Sequence, residues 1–255
     1  MILIIASKKD KASMNMANKL LEIYDFDEIN NEYSYKDYKL RFIDTMHIYT
    51  DLNLNDDINS VIFLSKHSSS ADIKSLTVHA IGNFRKAELG GYDNRIVCSD
   101  PERMSSSLRY IKNNYNDNYF EITFEATHHG PYLEKPSYFI EIGTTENEWN
   151  KNDILDLMAH SIIGSNIKNY DNFIGVGGGH YAPKISEYFF KNDINIGHII
   201  PKYVHEFIEK YEIINAVDKT YKCKGFLMDN HGTKSRVKVF INEIADSNGL
   251  EIIKI

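Results

Sequence analysis

Short apolar runs alternate with amphipathic stretches along the whole chain. The first run, residues 2–6, leads into apolar positions at helical spacing over 10–23. Later runs predict strands at residues 40–43, 61–64, 76–79, 96–98, 120–126, 138–142, 173–176, 196–200 and 250–255, and the stretches between them predict helices at 105–113, 152–167, 183–191, 202–211 and 234–245. This alternation predicts an α/β fold, with a three-layer mixed sheet covered by helices on both faces.

Length and composition indicate one globular domain over residues 1–255. The chain is 42% hydrophobic with only 5 Pro, and it is long enough to bury a full core. Its apolar runs are much shorter than the roughly 18 residues that a membrane span needs. The 2 cysteines, Cys98 and Cys223, lie far apart without metal-binding spacing, which is typical of a reducing compartment. We therefore expect a cytoplasmic protein without disulfides.

The charge balance limits how the protein could bind RNA. A net charge of −7 opposes non-specific binding to nucleic acid, so an RNA partner would need a local basic patch. One candidate patch lies between Lys219 and Lys238, where basic residues accompany the single acidic residue Asp229. An ordinary solvated surface is the favoured interpretation of this segment, and an RNA contact is the alternative.

Histidines at strand ends are the strongest chemical signal. A strand end fixes the backbone and leaves the side chain in the cleft, which is how α/β proteins assemble a site from distant segments. A lone histidine in such a place is more often structural, but several in similar settings favour a functional role. The histidines at or just beyond predicted strands are His67, His79, His128, His129, His180 and His198.

The segment 125–131 is the most specific of these, since a strand, two imidazoles and a Gly-Pro turn follow one another. If the strand persists, alternation places His128 and His129 on opposite faces, so that one could bind a metal while the other packs. Glu125 and Glu141 lie within apolar strand sequence. A buried carboxylate needs a metal, a donor network or a structural ion pair with a base.

Three consecutive glycines, Gly177, Gly178 and Gly179, join a predicted strand to a predicted helix immediately before His180. Exposed N–H groups in such a loop could cradle a phosphate or stabilise an oxyanion. The spacing matches neither the dinucleotide-binding motif nor the P-loop, so a tight turn is an equal alternative. Further along, His198 and Lys202 flank another strand end, and the lysine could contact phosphate.

Water is the best-supported nucleophile. No serine lies in a GxSxG elbow, and neither cysteine has a catalytic signature around it. Zinc held by imidazoles and a carboxylate would lower the pKa of bound water to about 7, and a free Glu or His could then move the proton. The residue chemistry therefore favours hydrolysis by water, which a metal held by the histidines could assist, over acyl-enzyme chemistry.

In these segments the sequence is similar to the archaeal-type D-aminoacyl-tRNA deacylases, a family also represented in plants. The matching segments follow the family's order and span most of the chain, at residues 65–69, 76–79, 82–83, 125–131, 139–146, 177–184 and 197–202. The resemblance implies hydrolysis of the ester that joins a D-amino acid to the terminal adenosine of tRNA, with zinc as cofactor, in a monomer. It also implies an α/β fold resembling peptidyl-tRNA hydrolase and nucleoside phosphorylases.

Residue chemistry and the resemblance together give a predicted site. The predicted zinc ligands are His79, His128 and His180, the predicted catalytic residues are His67, Glu125, His129 and Glu141, and contacts to substrate or tRNA are predicted for Gly177, Gly178, Gly179, Lys184, His198 and Lys202. Two other hypotheses stay open. A nucleoside phosphorylase or nucleosidase would use the glycine loop for phosphate and Glu141 for ribose. A non-catalytic RNA-binding protein would carry structural zinc, although such sites usually contain thiolates.

Overall fold

The N-terminal apolar run forms a strand near the middle of a large mixed sheet. The computed structural model describes residues 1–29, 32–67 and 73–255, so Ser68 and Ser69 of the predicted motif lie outside the described residues. The strands of this sheet are β1 (Ile2–Ser7), β2 (Asp27–Ile29), β3 (Glu32–Tyr35), β4 (Tyr38–Ile43), β5 (Ser60–His67), β6 (Ser75–Ala80), β7 (Glu121–Phe124) and β8 (Ser137–Gly143). Their order is β2-β3-β4-β1-β5-β8-β6-β7.

The neighbouring strands β4, β1, β5 and β8 run parallel to one another, whereas β6 is antiparallel to β8. A second sheet contains β9 (Asp171–Val176), β10 (Ile194–Ile200), β11 (Cys223–Met228) and β12 (Glu251–Lys254), in the order β10-β9-β11-β12 and parallel throughout. A mixed α/β fold is thus confirmed. The expectation of one sheet is corrected, because apolar periodicity identifies strands without saying which of them pair.

The helices are α1 (Lys11–Ile23), α2 (Pro101–Asn114), α3 (Glu146–Trp149), α4 (Asn152–Ile163), α5 (Pro183–Lys191), α6 (Lys210–Asp218) and α7 (Ser235–Asn248), with 3-10 turns at His47–Tyr49 and Lys202–Val204. Asp10 caps α1 by accepting the Ser13 N–H at 3.0 Å, and Pro183 begins α5 as predicted. Among the described residues, no helix is both long and apolar enough to cross a bilayer.

The two faces of the large sheet are covered differently. Apolar side chains of α1, α2 and α4 pack with Ile62, Leu64, Ile140 and Ile142 on one face. The opposite face carries Phe63 and Phe139, and it is covered by irregular segments rather than helices. Helical cover on both faces is therefore wrong for this sheet, though right for the second one. The irregular cover leaves loops, which can line a site, above the centre of the sheet.

Several predicted elements differ from the structure. Ile96 and Val97 are buried, but residues 96–98 form only an isolated bridge between Ile96 and Gly82. The helix expected at 202–211 ends after one 3-10 turn, because a capping box of Glu209 and Glu212 starts a new helix at Lys210. β2 is exposed and contains one apolar residue, β3 is a short half-buried strand with two tyrosines, and only the last part of β11 is apolar, so none of the three was predicted.

Candidate metal and substrate site

Three central strands bring the first chemical side chains together. In the sheet register Glu141 of β8 lies beside Ser65 of β5 and Thr77 of β6, and Phe139 lies beside His79. Residues paired in this way project from the same face of a sheet, and His67 lies two positions beyond Ser65 on that face too. The Phe139 ring stacks on His79 with centroids 5.1 Å apart. His67, His79 and Glu141 are therefore carried on the face that lacks helices.

The segment after β7 supplies the next donors. The strand ends at Phe124, and backbone bonds then fix the chain, with Ala126 N–H donating to His180 O at 2.8 Å. His129 adopts a positive φ of 45°, and its ring centroid lies 4.3 Å from that of His128. The condition under which these two imidazoles would lie on opposite faces is therefore not met, because the strand ends before it reaches them.

The glycine loop delivers His180 to the same place. Gly177 and Gly178 have φ values of 101° and 80°, which L side chains rarely adopt. Gly177 N–H donates to Ile200 O and Gly178 O accepts from Lys202 N–H, both at 2.9 Å, so the turn is fixed to the end of β10. Within the described chain, the amides of Gly178 and Gly179 donate to no protein acceptor. These two N–H groups are available to a ligand.

Glu125 lies at the centre of the cluster with 1% of its surface exposed. Its carboxylate oxygens lie 3.0 Å from His67 Nδ1, 2.9 Å from His180 Nε2 and 3.7 Å from His128 Nε2. The orientation of these contacts does not meet hydrogen-bond geometry, and neither oxygen has a hydrogen-bond partner in the described chain. A buried carboxylate in that condition is costly unless a cation completes its surroundings.

Glu141 is the second buried carboxylate. It accepts a hydrogen bond from His67 Nδ1 at 3.3 Å, and its other oxygen lies 3.6 Å from His79 Nε2. Burial raises the pKa of Glu141, but His67 and His79 more than offset this and bring the pKa to about 2. Burial likewise raises the pKa of Glu125, and contacts with His180 and His67 hold it well below its usual value. Both carboxylates are therefore ionised at neutral pH.

The tautomers of the histidines show where a nitrogen lone pair faces a carboxylate oxygen, so that two hydrogen-bond acceptors lie opposite each other. The Nδ1 atoms of His79, His128 and His129 lie 3.1, 2.8 and 2.6 Å from backbone carbonyls, so each Nδ1–H donates, and Nε2 carries a lone pair wherever the ring is neutral. Burial lowers the pKa of His79, but Glu141 more than offsets this and raises it, which favours a proton on His79 Nε2. Burial lowers the pKa of His128 well below its ordinary value and that of His129 to about 4, so both rings stay neutral. His128 Nε2 therefore directs a lone pair at the ionised Glu125. A metal cation between such atoms resolves the conflict.

The donors divide into groups compact enough to hold metal ions. His79, His128 and His129 form one group, and His67, Glu125 and His180 form another, with all ligand atoms of a group within 4.8 Å of one another. A third group combines His79, Glu125 and Glu141. The Nε2 atoms of His67 and His79 are buried without a hydrogen-bond partner in the described chain. This nitrogen and oxygen donor set fits zinc.

A pocket of about 280 Å³ opens beside the cluster. His128 and His129 form part of its floor, and the loop from Gly82 to Leu89 forms one wall. Tyr203 and Val204, just beyond β10, form the facing wall. A substrate group in this pocket would contact the imidazoles directly.

Comparison with known proteins shows to which family the chain belongs. The model of a family described as D-aminoacyl-tRNA deacylase matches residues 54–253. The chain is 57% identical to a D-aminoacyl-tRNA deacylase from Picrophilus torridus and 34% identical to one from Pyrococcus abyssi, with both proteins of each pair covered over their full length. The chain belongs to the D-aminoacyl-tRNA deacylase family.

A solved structure shares the fold of this family member. A crystal structure titled as a conserved protein of unknown function superposes with a TM-score of 0.92 at 30% sequence identity, and the match covers 100% of this chain and 95% of the other. The arrangement of two sheets is therefore found in an experimentally determined structure.

The structure brings together seven of the residues predicted for chemistry, but it groups them in a new way. His129 joins His79 and His128, whereas His180 lies with Glu125 and His67. His198 lies elsewhere, at 0% exposure, where Nε2 donates to Val97 O at 2.9 Å and Nδ1 accepts from the Thr127 hydroxyl. A ring with no exposed atom cannot contact tRNA, so the predicted substrate role of His198 is corrected to a structural one.

The two lysines that were predicted to contact substrate or tRNA, Lys184 and Lys202, differ in their surroundings. Lys184 Nζ lies 2.9 Å from the Asp229 carboxylate, which largely neutralises its charge, whereas Lys202 is exposed beside the pocket wall. In the segment from Lys219 to Lys238, Lys224 pairs with Glu251, and Lys234 and Arg236 pair with Glu206 and Glu209. Acidic residues distant in sequence thus offset the local charge, which supports the interpretation as a solvated surface.

Sequence reasoning missed the pocket wall formed by Arg85, Lys86, Leu89 and Tyr203. One signal was present, since two adjacent basic residues follow closely after the Gly82-Asn83 pair of the family motif. Their relation to Tyr203 depends on tertiary structure, because the two walls are more than a hundred positions apart in the chain.

Proposed function

We propose that the protein hydrolyses the ester bond between a D-amino acid and the terminal adenosine of tRNA. The observation that carries this proposal is the buried cluster of His and Glu side chains beside an open pocket. His128 and His129 line the pocket, and His67 Nε2, His79 Nε2 and both Glu125 oxygens have no hydrogen-bond partner in the described chain. Membership of the deacylase family supplies the substrate class. Nothing in the site favours a phosphorylase, and nothing favours a purely structural metal.

Zinc is the proposed cofactor. His79, His128 and His129 would hold one ion, and His67, Glu125 and His180 provide a separate set of donors. When bound, zinc would act as a Lewis acid and lower the pKa of a coordinated water to about 7. The backbone carbonyls that accept from Nδ1 fix the ring orientations, as outer-shell partners do in known zinc sites.

Glu141 and His180 are the groups proposed to move the protons. Glu141 contacts both His67 and His79 and is the proposed general base, which takes a proton from the attacking water. His180, whose side chain is 37% exposed, is the proposed acid. The water oxygen forms the new bond to the ester carbonyl carbon, the bond from that carbon to the ribose oxygen breaks, and His180 donates the proton that this oxygen needs. The products are a free D-amino acid and tRNA with a free hydroxyl.

The glycine loop and the pocket wall would govern the transition state and its selectivity. The amides of Gly178 and Gly179 lie next to His180 in the chain and donate to no protein acceptor in the described residues, so they can stabilise the developing oxyanion. The wall from Gly82 to Leu89 would clash with the side chain of an L-aminoacyl group. Steric exclusion of this kind discriminates more strongly than a missing contact.

The proposed substrate, an aminoacylated tRNA, is formed and used in the cytoplasm, so we propose that the protein acts there. We also retain the prediction of a monomer. A single domain over 1–255, with a fold resembling peptidyl-tRNA hydrolase and nucleoside phosphorylases, remains our prediction as well. The free states of Cys98 and Cys223 agree with a reducing compartment.

The first experiment measures release of tyrosine from D-tyrosyl-tRNA and L-tyrosyl-tRNA, with and without a zinc chelator. We expect fast release from the D form only, lost with the chelator and restored by added zinc, and metal analysis of the purified protein would count the ions. If the chelator does not change the release, the proposed substrate is supported and the zinc mechanism is excluded. An absence of release from either substrate would contradict the proposal.

A matched pair of variants locates the activity in the cluster. Glu125→Gln should lower kcat/KM by at least about 100-fold, since an amide cannot serve as the anionic partner of a metal or of the imidazoles. Glu148→Gln is the control, because Glu148 is equally buried but accepts from Thr145 and Tyr119. We expect Glu148→Gln to lose stability and keep its activity. Equal loss of activity in both variants would indicate a general folding effect.

A further inference from the structure

The mouth of the pocket combines exposed aromatic rings with unpaired cations. Tyr203 lines the pocket with 49% of its surface exposed, and Phe207 lies one turn further along at 56%. Large apolar side chains are usually buried, so two exposed rings beside a reactive site favour a ligand with flat faces. Nucleic acid bases are such ligands, and a base that stacks on one aromatic ring gains affinity whatever its sequence.

The cations of this mouth are free for an anionic partner. Arg85 and Lys86 line the pocket and Lys202 precedes Tyr203, and none of the three has a salt bridge within the described residues. Arg85 instead lies 4.1 Å above the centre of the Phe207 ring, which orients its guanidinium without neutralising it. This differs from the segment 219–238, where three basic residues are paired. Arg85, Lys86 and Lys202 thus offer positive charge at the pocket of a molecule of net charge −7, beside one acidic lining residue, Glu88.

Internal hydrogen bonds hold the cationic wall in place. Asn83 Nδ2 donates to Gly90 O at 2.9 Å, and Ala87 N–H donates to the Asp93 carboxylate at 2.7 Å. Gly130 N–H, next to the imidazoles, donates to Leu89 O at 3.0 Å. The wall is therefore tied both to itself and to the cluster, so a ligand meets a preorganised surface.

From these features we infer that the pocket mouth binds the single-stranded 3′ end of tRNA. The terminal adenine stacks on Tyr203, the phosphates that precede it contact Arg85 and Lys86, and the ester then reaches the floor at His128 and His129. This inference rests on the proposed function and specifies how its substrate is recognised. Stacking and phosphate contacts carry no sequence readout, so tRNAs with different acceptor stems are bound alike.

The test uses three substrates of increasing size: D-tyrosine ethyl ester, the D-tyrosyl ester of adenosine, and D-tyrosyl-tRNA. Tyr203→Ala should lower kcat/KM by about 10- to 100-fold for the adenosine ester and for tRNA, and leave the ethyl ester unchanged. Tyr203→Phe should retain near-normal values, because stacking needs the ring and not the hydroxyl. Lys86→Ala should affect tRNA alone, because only tRNA carries phosphates.

Tyr221→Ala and Lys222→Ala are the matched controls, since both residues are exposed and lie in the segment 219–238. We expect them to behave as the unmodified protein does. The inference is overturned if the unmodified protein deacylates D-tyrosyl-tRNA but Tyr203→Ala equals it on all three substrates, or if the two control variants lose activity on tRNA instead. A protein that releases tyrosine from none of the substrates would refute the proposed function itself, which separates the two failures.

Discussion

At the scale of single residues, the same residue type serves different purposes according to its hydrogen bonds. The imidazoles of His79, His128 and His129 use one nitrogen on the backbone and leave the other for a ligand. His198 uses both nitrogens on the protein, through Val97 O and the Thr127 hydroxyl. Sequence could identify all four as histidines at strand ends, but only the partners of both nitrogens separate a ligand from a structural residue.

The buried position of His198 predicts a pH dependence of stability. Burial lowers its pKa to about 4 in the folded protein, whereas an unfolded histidine titrates near pH 6.5. Between these values the unfolded chain binds a proton that the folded chain does not. The contribution to stability is therefore complete above about pH 6.5 and is lost as the pH falls, by about 1.4 kcal/mol per unit.

Urea unfolding of the chelated protein at pH 7.5 and pH 5 measures this effect. The unmodified protein should lose about 2 kcal/mol more between these pH values than His198→Gln does. The variant itself should be less stable at pH 7.5, because the two hydrogen bonds of the ring are altered. An identical pH dependence in both proteins would show that His198 is not held neutral.

At the scale of elements, sequence located most strands and five helices, and its errors have physical reasons. The expected helix at 202–211 failed because Glu209 and Glu212 form a capping box that starts a different helix. The strand predicted at 120–126 ends at Phe124, because Ala126 N–H donates to His180 O on another segment. Both errors concern segments beside the site, where tertiary hydrogen bonds decide the local conformation. The residue types of the site could be predicted, whereas their grouping could not.

The contact between Gly130 and the pocket wall gives a prediction about these two segments. A Cβ at Gly130 would lie 2.3 Å from Gly91 N and 2.7 Å from Ile48 O, so the backbone of the wall would have to move. Gly130→Ala should destabilise the protein by about 1–3 kcal/mol and raise KM for D-aminoacyl-tRNA. Gly179→Ala is the control for stability, because its nearest contact would be an ordinary 3.8 Å. Equal thermal unfolding of Gly130→Ala and the unmodified protein would contradict the prediction.

At the scale of the whole molecule, the site lies where the two sheets meet. The central strands of the large sheet carry His67, His79 and Glu141, and the loop after β9 of the second sheet carries His180. Thr127 joins the two sheets through its bonds to His198 and the Ile199 N–H. Sequence predicted the alternation of strands and helices and most of the site residues. The division into two sheets depends on strand pairing, which periodicity does not specify.

The overall charge gives the last prediction, on salt dependence. An acidic protein repels tRNA at long range, so its affinity for tRNA depends on the few cations that meet phosphates. Two such cations, Arg85 and Lys86, predict that log kcat/KM for D-tyrosyl-tRNA falls with log salt with a slope of about −1.4, since each phosphate contact on a single strand contributes about −0.7. Lys86→Ala should reduce the slope by about 0.7, whereas Lys222→Ala should leave it unchanged. D-tyrosine ethyl ester should show almost no salt dependence, because it presents no phosphate. A much steeper slope for tRNA would mean that further basic residues take part, and the segment from Lys219 to Lys238 would then be the first place to look for them.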